Sequence, residues 1–128
     1  MTKAEAIQAF FERFMDRAYE ASTVPDGTGG KPPPDYPYLT YGLADGDWNT
    51  GEVAMQVDLW YRSMKLGAIN AKTEEIGEAV GLGGVMLPCA TGAIWVKKGA
   101  PFAQTMGDPN DAMVKRKYIN LTVEFFTQ

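Results

Sequence analysis

Residues 52–62 read Glu52-Val53-Ala54-Met55-Gln56-Val57-Asp58-Leu59-Trp60-Tyr61-Arg62. Val53, Met55, Val57, Leu59 and Tyr61 alternate with Ala54, Gln56, Asp58, Trp60 and Arg62. A period of two is the mark of a strand with one apolar and one mainly polar face. Trp60 breaks the pattern, because it puts a large aromatic ring on the otherwise polar face. This strand therefore carries aromatic residues on both sides, and its second face asks for a partner. Upstream, Tyr38-Leu39-Thr40-Tyr41-Gly42-Leu43 reads as a shorter strand. The joining residues 44–51 contain Asp45-Gly46 and read as a turn. The pair is expected to form an antiparallel hairpin.

Helical spacing flanks this hairpin. In residues 2–19, Ile7, Phe10, Phe11, Phe14, Met15 and Ala18 fall on one stripe of a 3.6-residue helix. Thr2 and Glu5 fit a capping box at its start. In residues 66–80, Ile69, Thr73, Ile76 and Val80 step by 4, 3 and 4, and Gly81 supplies the stop. Val85-Met86-Leu87 and Ala93-Ile94-Trp95-Val96 read as two short strands around an Ala90-Thr91-Gly92 turn. Residues 114–126 alternate again and read as the last strand. Two stretches rich in Pro and Gly, 20–37 and 99–113, read as long loops. The first is either a surface connector or a binding arm that orders on assembly. Helices and hairpins in this order predict an α+β domain: an antiparallel sheet of about five strands with two helices packed on one face. One domain accounts for the 128 residues.

Composition narrows the chemistry. With 12 basic and 16 acidic residues the formal net charge is −4, unlike a chain built to grip phosphates. Residues 36–64 carry 1 basic and 4 acidic residues and are the most acidic part. There is no histidine, so the commonest general base and metal ligand is missing. A single cysteine allows neither an intrachain disulfide nor a thiolate zinc site. No apolar run is long enough to cross a membrane, and the amphipathic, acid-bearing first 20 residues do not resemble a signal peptide.

The remaining candidates for chemistry are each better explained by structure. Cys89 has no histidine to activate it and reads as a buried structural thiol. The pairs Asp45/Asp47 and Asp108/Asp111 lie in turn sequences, where Asp bonds its own backbone. Gly81-Leu82-Gly83-Gly84 follows a helix and precedes a strand, the reverse of a phosphate-binding glycine turn. We therefore expect no catalytic residues, no cofactor and no metal. Aromatic residues beside basic ones remain: Trp60, Tyr61 and Arg62, and Trp95 near Lys97. They could stack on nucleobases, pack within the chain, or form a subunit interface. The interface candidates are Trp48, Trp60, Tyr61, Arg62, Trp95 and Phe102.

A set of strings in consistent order carries a family resemblance. These are Pro37-Tyr38-Leu39-Thr40-Tyr41, then Asp58-Leu59-Trp60-Tyr61-Arg62-Ser63, then Gly92-Ala93-Ile94-Trp95-Val96-Lys97-Lys98-Gly99-Ala100-Pro101-Phe102-Ala103-Gln104. Met106-Gly107-Asp108, Asp111-Ala112-Met113-Val114-Lys115-Arg116 and the final strand complete it. Over most of residues 36–126 the chain resembles the small tail terminator, or tail completion, proteins of long-tailed phages and prophages of Gram-positive bacteria. The resemblance implies a structural assembly protein of α+β fold that forms a hexameric ring. Such a ring caps the finished tail tube, stops its growth and offers a surface to the filled head. Its partners would be further copies of itself, the major tail tube protein and the head–tail connector protein. DNA would pass through the lumen without specific binding. Its place would be the host cytoplasm during assembly and then the virion tail, with no membrane contact. A head–tail connector or minor head protein, a small-ligand binding domain or enzyme, and a nucleic-acid binder are the alternatives.

Overall fold

A computed structural model describes residues 1–43 and 52–127. Its elements in chain order are α1 (Lys3–Glu12), β1 (Ala18–Glu20), β2 (Tyr38–Leu43), β3 (Glu52–Arg62), α2 (Gly67–Val80), β4 (Val85–Cys89), β5 (Gly92–Asp108) and β6 (Asp111–Thr127). The class is α+β. The sheet has six strands in the order β1-β2-β3-β6-β5-β4. It is mixed, because β1 runs parallel to β2 while every other neighbouring pair is antiparallel. The expected five-stranded antiparallel sheet is thus corrected on both counts.

The extra strand comes from the end of the expected first helix. The capping box is present: Thr2 Oγ1 accepts from Glu5 N at 3.1 Å, and Glu5 Oε1 accepts from Thr2 N at 2.9 Å. The helix stops at Glu12, however, and does not run to residue 19. Phe14 still reaches the core from the turn beyond. Ala18, which fits the helical stripe equally well, is buried in β1. What outweighs continued helix is pairing with distant chain. Leu39 N donates to Arg17 O at 2.9 Å, Gln8 Nε2 donates to Ala18 O at 2.8 Å, and Arg17 Nε donates to Pro37 O at 3.0 Å. Residues 21–36 between β1 and β2 form no strand and hold two short 3-10 turns, Ala21–Thr23 and Thr28–Gly30.

The second correction concerns residues 99–113. Apart from a turn at 109–110 they are strand, not loop: β5 runs to Asp108 and β6 begins at Asp111. The ladder between them shifts register between Lys98 and Ala103, so Gly99-Ala100-Pro101-Phe102 bulges opposite Asn120. Pro101, which has no N–H to give a ladder, falls within that bulge. Asn120 Nδ2 closes it by donating to Pro101 O at 2.8 Å. A Cβ on Gly99 would come within 2.9 Å of Asn120 Cβ, so this crossing needs glycine.

One face of the sheet is the core. Val53, Met55, Val57 and Leu59 of β3 stand opposite Val123, Leu121, Ile119 and Lys117 of β6. Ile94 and Val96 of β5 and Leu39 of β2 extend the same layer. Ile7, Phe10 and Phe11 of α1 and Ile69, Ile76 and Val80 of α2 join it in a single buried cluster. Each fully buried aliphatic or aromatic side chain contributes about 1.5–3 kcal/mol. Tyr41 also faces this layer. It stacks on Phe11 with ring centroids 4.7 Å apart and donates to Gln8 Oε1 at 2.6 Å. Both helices lie on this face.

Candidate functional site: the outer face of the sheet

The face without helices follows from the same alternation. On β3 it takes Ala54, Gln56, Asp58 and Trp60, and the ladder sets these against Thr122, Asn120, Tyr118 and Arg116 of β6. Tyr38 and Thr40 of β2 lie opposite Trp60 and Asp58.

One end of this face is an ordered aromatic and charged cluster. Trp60 stacks on Tyr38, centroids 5.8 Å apart and planes 12° from parallel. Its Nε1 donates to Thr40 Oγ1 at 3.1 Å. The Arg116 guanidinium lies 4.9 Å from the Trp60 ring centroid, on its face. Arg116 Nε also meets Asp58 Oδ1 at 2.9 Å, and Gln56 Nε2 donates to Asp58 Oδ2 at 3.1 Å. Asp58 is therefore a buried carboxylate with both oxygens engaged. Burial pushes the Tyr38 hydroxyl pKa up, with Tyr36 as a smaller contributor. Next to the cluster is a hollow of about 340 Å³, whose lining includes Ala21, Gly42, Ala54, Gln56, Tyr118 and Asn120. Small residues on β2 and β3 make the depression.

The other end is apolar. Trp95 stacks on Phe126, centroids 6.1 Å apart. Phe126 is 49% exposed, and Met86, opposite Trp95 in the ladder, is 50% exposed. Lys97 Nζ stands 4.2 Å from the Trp95 ring centroid and 2.8 Å from Glu52 Oε2. The two outward acids of β3, Glu52 and Asp58, are thus each matched by a cation. The surplus of negative charge in residues 36–64 does not form a bare acidic stripe on this strand.

The six residues singled out by sequence do not share one surface. Trp60 and Trp95 are half-buried on the outer face, toward opposite ends of it. Arg62 is on the same face at the end of β3, with its Nε 3.4 Å from Asp111 Oδ2. Tyr61 points the other way and packs against the core. Phe102 sits in the bulge, against the core and beneath α2, where a Cβ on Gly77 would lie 3.3 Å from its ring. Trp48 lies outside the described residues, as do Asp45 and Asp47. Tyr38, Arg116, Phe126 and Met86 are not among those six residues, yet all four stand on the outer face. Alternation in residues 114–126 already puts Arg116 and Phe126 opposite the Ile119 and Leu121 face.

The other candidates take structural places. Cys89 is half-buried and packs against the core. Asp108 Oδ1 accepts from Asn110 N at 2.7 Å and Asp111 Oδ1 from Met113 N at 2.9 Å, the self-bonding expected of turn aspartates. Among the described residues no cluster of three or more Cys, Asp or Glu could hold a metal ion. No described helix is long and apolar enough to cross a membrane. What the outer face can do is stack and hydrogen-bond against another surface. No protein-family model matches the chain, and neither does any curated protein sequence.

Proposed function

We propose that this chain is a phage virion assembly protein, a ring-forming tail terminator that caps the tail tube and joins it to the head. The observation that carries the reading is the division of the sheet into two unlike faces. Two helices cover one face, and the other displays ordered aromatic rings at both ends. Large apolar groups held in place on an uncovered face are suited to a partner surface. The strings that carry the family resemblance fold onto neighbouring strands: Asp58–Arg62 lies on β3, Lys115-Arg116 on β6 beside it, and Gly92–Gln104 on β5 next to that. The reading assigns contacts and no reaction. The chain would meet copies of itself, the tube protein and the connector, and DNA would pass through the bore.

The test is the mass of the chain in solution, alone and with purified tail tubes, together with deletion of the gene. A six-chain species or a six-chain cap on tubes supports the reading, as do deleted phages whose tails never join heads. Normal virions from the deletion would remove it.

A further inference from the structure

The Pro-rich stretch between β1 and β2 is a segment held at both ends. At its start Gly29 and Gly30 turn with φ 64° and 80°, and Lys31 N donates to Thr28 O at 3.3 Å. At its end Arg17 donates twice, from Nε to Pro37 O at 3.0 Å and from Nη2 to Tyr36 O at 3.3 Å. Between these anchors runs Lys31-Pro32-Pro33-Pro34-Asp35. Consecutive prolines have their φ fixed by the ring and favour the extended polyproline II form. Pro32 and Pro33 are exposed, and among the described residues no donor reaches the carbonyls of Lys31 to Asp35. Such an arm is stiff before it binds, so docking takes little freedom from it. The surface it fits is an aromatic one that receives the proline rings.

Two aromatic clusters stand on the outer face. Trp60 is already engaged by Tyr38, Thr40 and Arg116. Trp95, with Phe126 and Met86 half-exposed beside it, is the more open of the two. Charge favours the same end. Lys97 and Glu52 pair with each other there, which leaves Glu124, opposite Trp95 in the ladder, without a cation among the described residues. Lys31, at the head of the proline run, has no ion pair among the described residues either.

The arm of a chain does not reach its own Trp95. Tyr38 pairs with Trp60, Trp60 with Arg116, and Trp95 with Glu124 farther along β6. Three strand spacings across and the run from Arg116 to Glu124 put the arm's root roughly 30 Å from Trp95. Pro32 extends at most about 22 Å from Tyr38. Arm and receptor also flank opposite sides of the sheet, beside β2 and on β5. Joining copies by strand addition is poorly served at either edge. In β1 the carbonyl of Ala18 is taken by Gln8 Nε2 and that of Glu20 by Thr23 Oγ1, both at 2.8 Å. In β4 Pro88 has no N–H to offer.

We infer that the Lys31–Asp35 arm of one copy docks on the Trp95, Phe126 and Met86 surface of the next, with Lys31 against the neighbour's Glu124. The inference rests on the ring reading above and names one of its contacts. Two unlike patches meet, so the contact is heterologous, and repetition with a closing rotation makes a ring.

The test uses full-length chains carrying the photo-crosslinker benzoylphenylalanine at position 33, mixed as isotope-labelled and unlabelled protein, alone at high concentration and on purified tail tubes. Irradiation should join labelled to unlabelled chains, and mass spectrometry of the digests should place the link at Met86, Trp95 or Phe126. Replacing Pro32, Pro33 and Pro34 together by serine should weaken self-association roughly tenfold or more with an unchanged circular dichroism spectrum. Lys31→Glu and Glu124→Lys should each weaken it, and the two in one chain should restore it in part. The inference is overturned if the links fall within one chain, on the Trp60 cluster or on tube protein. It is also overturned if the serine variant assembles as the natural chain does, or if the double charge reversal only adds the two losses. A natural chain that stays single both alone and on tubes would instead remove the ring reading, and this contact with it.

Discussion

Arg116 stands over the indole ring of Trp60, 4.9 Å from its centroid. The same guanidinium satisfies the buried Asp58 carboxylate at 2.9 Å. One side chain therefore ties an aromatic platform to the only carboxylate buried among the described residues. Arg116→Met should destabilise the fold by about 1–3 kcal/mol, since it leaves Asp58 buried without its cation. Asp58→Asn combined with Arg116→Met should cost less than the sum of the two single changes. Urea unfolding of the four proteins measures both quantities. Strict additivity would show that the pair is not coupled.

Removing the aromatic rings of the outer face should separate assembly from folding. Trp95→Ala, at the apolar end, should weaken self-association or tube binding roughly tenfold or more and leave the helical and strand signals of circular dichroism in place. Trp60→Ala should do the same with an added loss of stability, since it also abandons Tyr38, Thr40 and Arg116. Sedimentation velocity and urea midpoints on the same samples separate the two effects. Unimpaired assembly of both variants would clear this face of any role in it.

Two adjacent glycines should behave oppositely. Gly84→Ala forces a Cβ to within 2.5 Å of Trp95 Nε1 and 2.7 Å of Val96 O, at a φ of 84° that side chains avoid. It should cost about 1–3 kcal/mol. Gly83→Ala meets nothing within 4 Å and should be close to neutral. Thermal melts of the two variants give the comparison. Equal midpoints would mean that Gly84 does not sit against Trp95 and Val96 in this way.

Alkaline pH should destabilise the chain through Tyr41. Burial, with smaller contributions from Glu20 and Glu12, pushes its hydroxyl from the ordinary value near 10 up to about 12. The unfolded chain then loses this proton before the folded one does. The stability linked to the neutral hydroxyl is full below pH 10 and is lost as pH rises toward about 12. Tyr41→Phe should flatten the fall in urea midpoint over that window. The slope contributed by Tyr38 and Tyr61, also raised by burial, should remain. An unchanged slope would contradict the assignment to Tyr41.

Much of this architecture is legible in the order of residues. The alternation of Val53 to Tyr61 gives β3 and both its faces. The stepping of Ile69, Thr73, Ile76 and Val80 gives α2, and Thr2 with Glu5 gives the start of α1. Local pattern fails where distant chain decides. Ala18 fits a helical stripe, yet its carbonyl and that of Arg17 bond Gln8 and Leu39, and the parallel strand β1 results. Pro101 and Gly99 read as loop because nothing nearby announces Asn120, whose side chain closes the bulge around them. The candidate site shows the same division. Trp60 was visible as an aromatic residue out of phase, but its stacking on Tyr38 and Arg116 depends on a register that no single segment contains.

As a tail terminator, copies of this chain would close on one another in a ring that caps the tail tube. Native mass spectrometry of the purified chain, alone at high concentration and again after addition of purified tail tubes, reads that ring out. A species of six chains is expected in at least one of the two. A chain that stays single in both, with no mass added to the tubes, would rule the ring out.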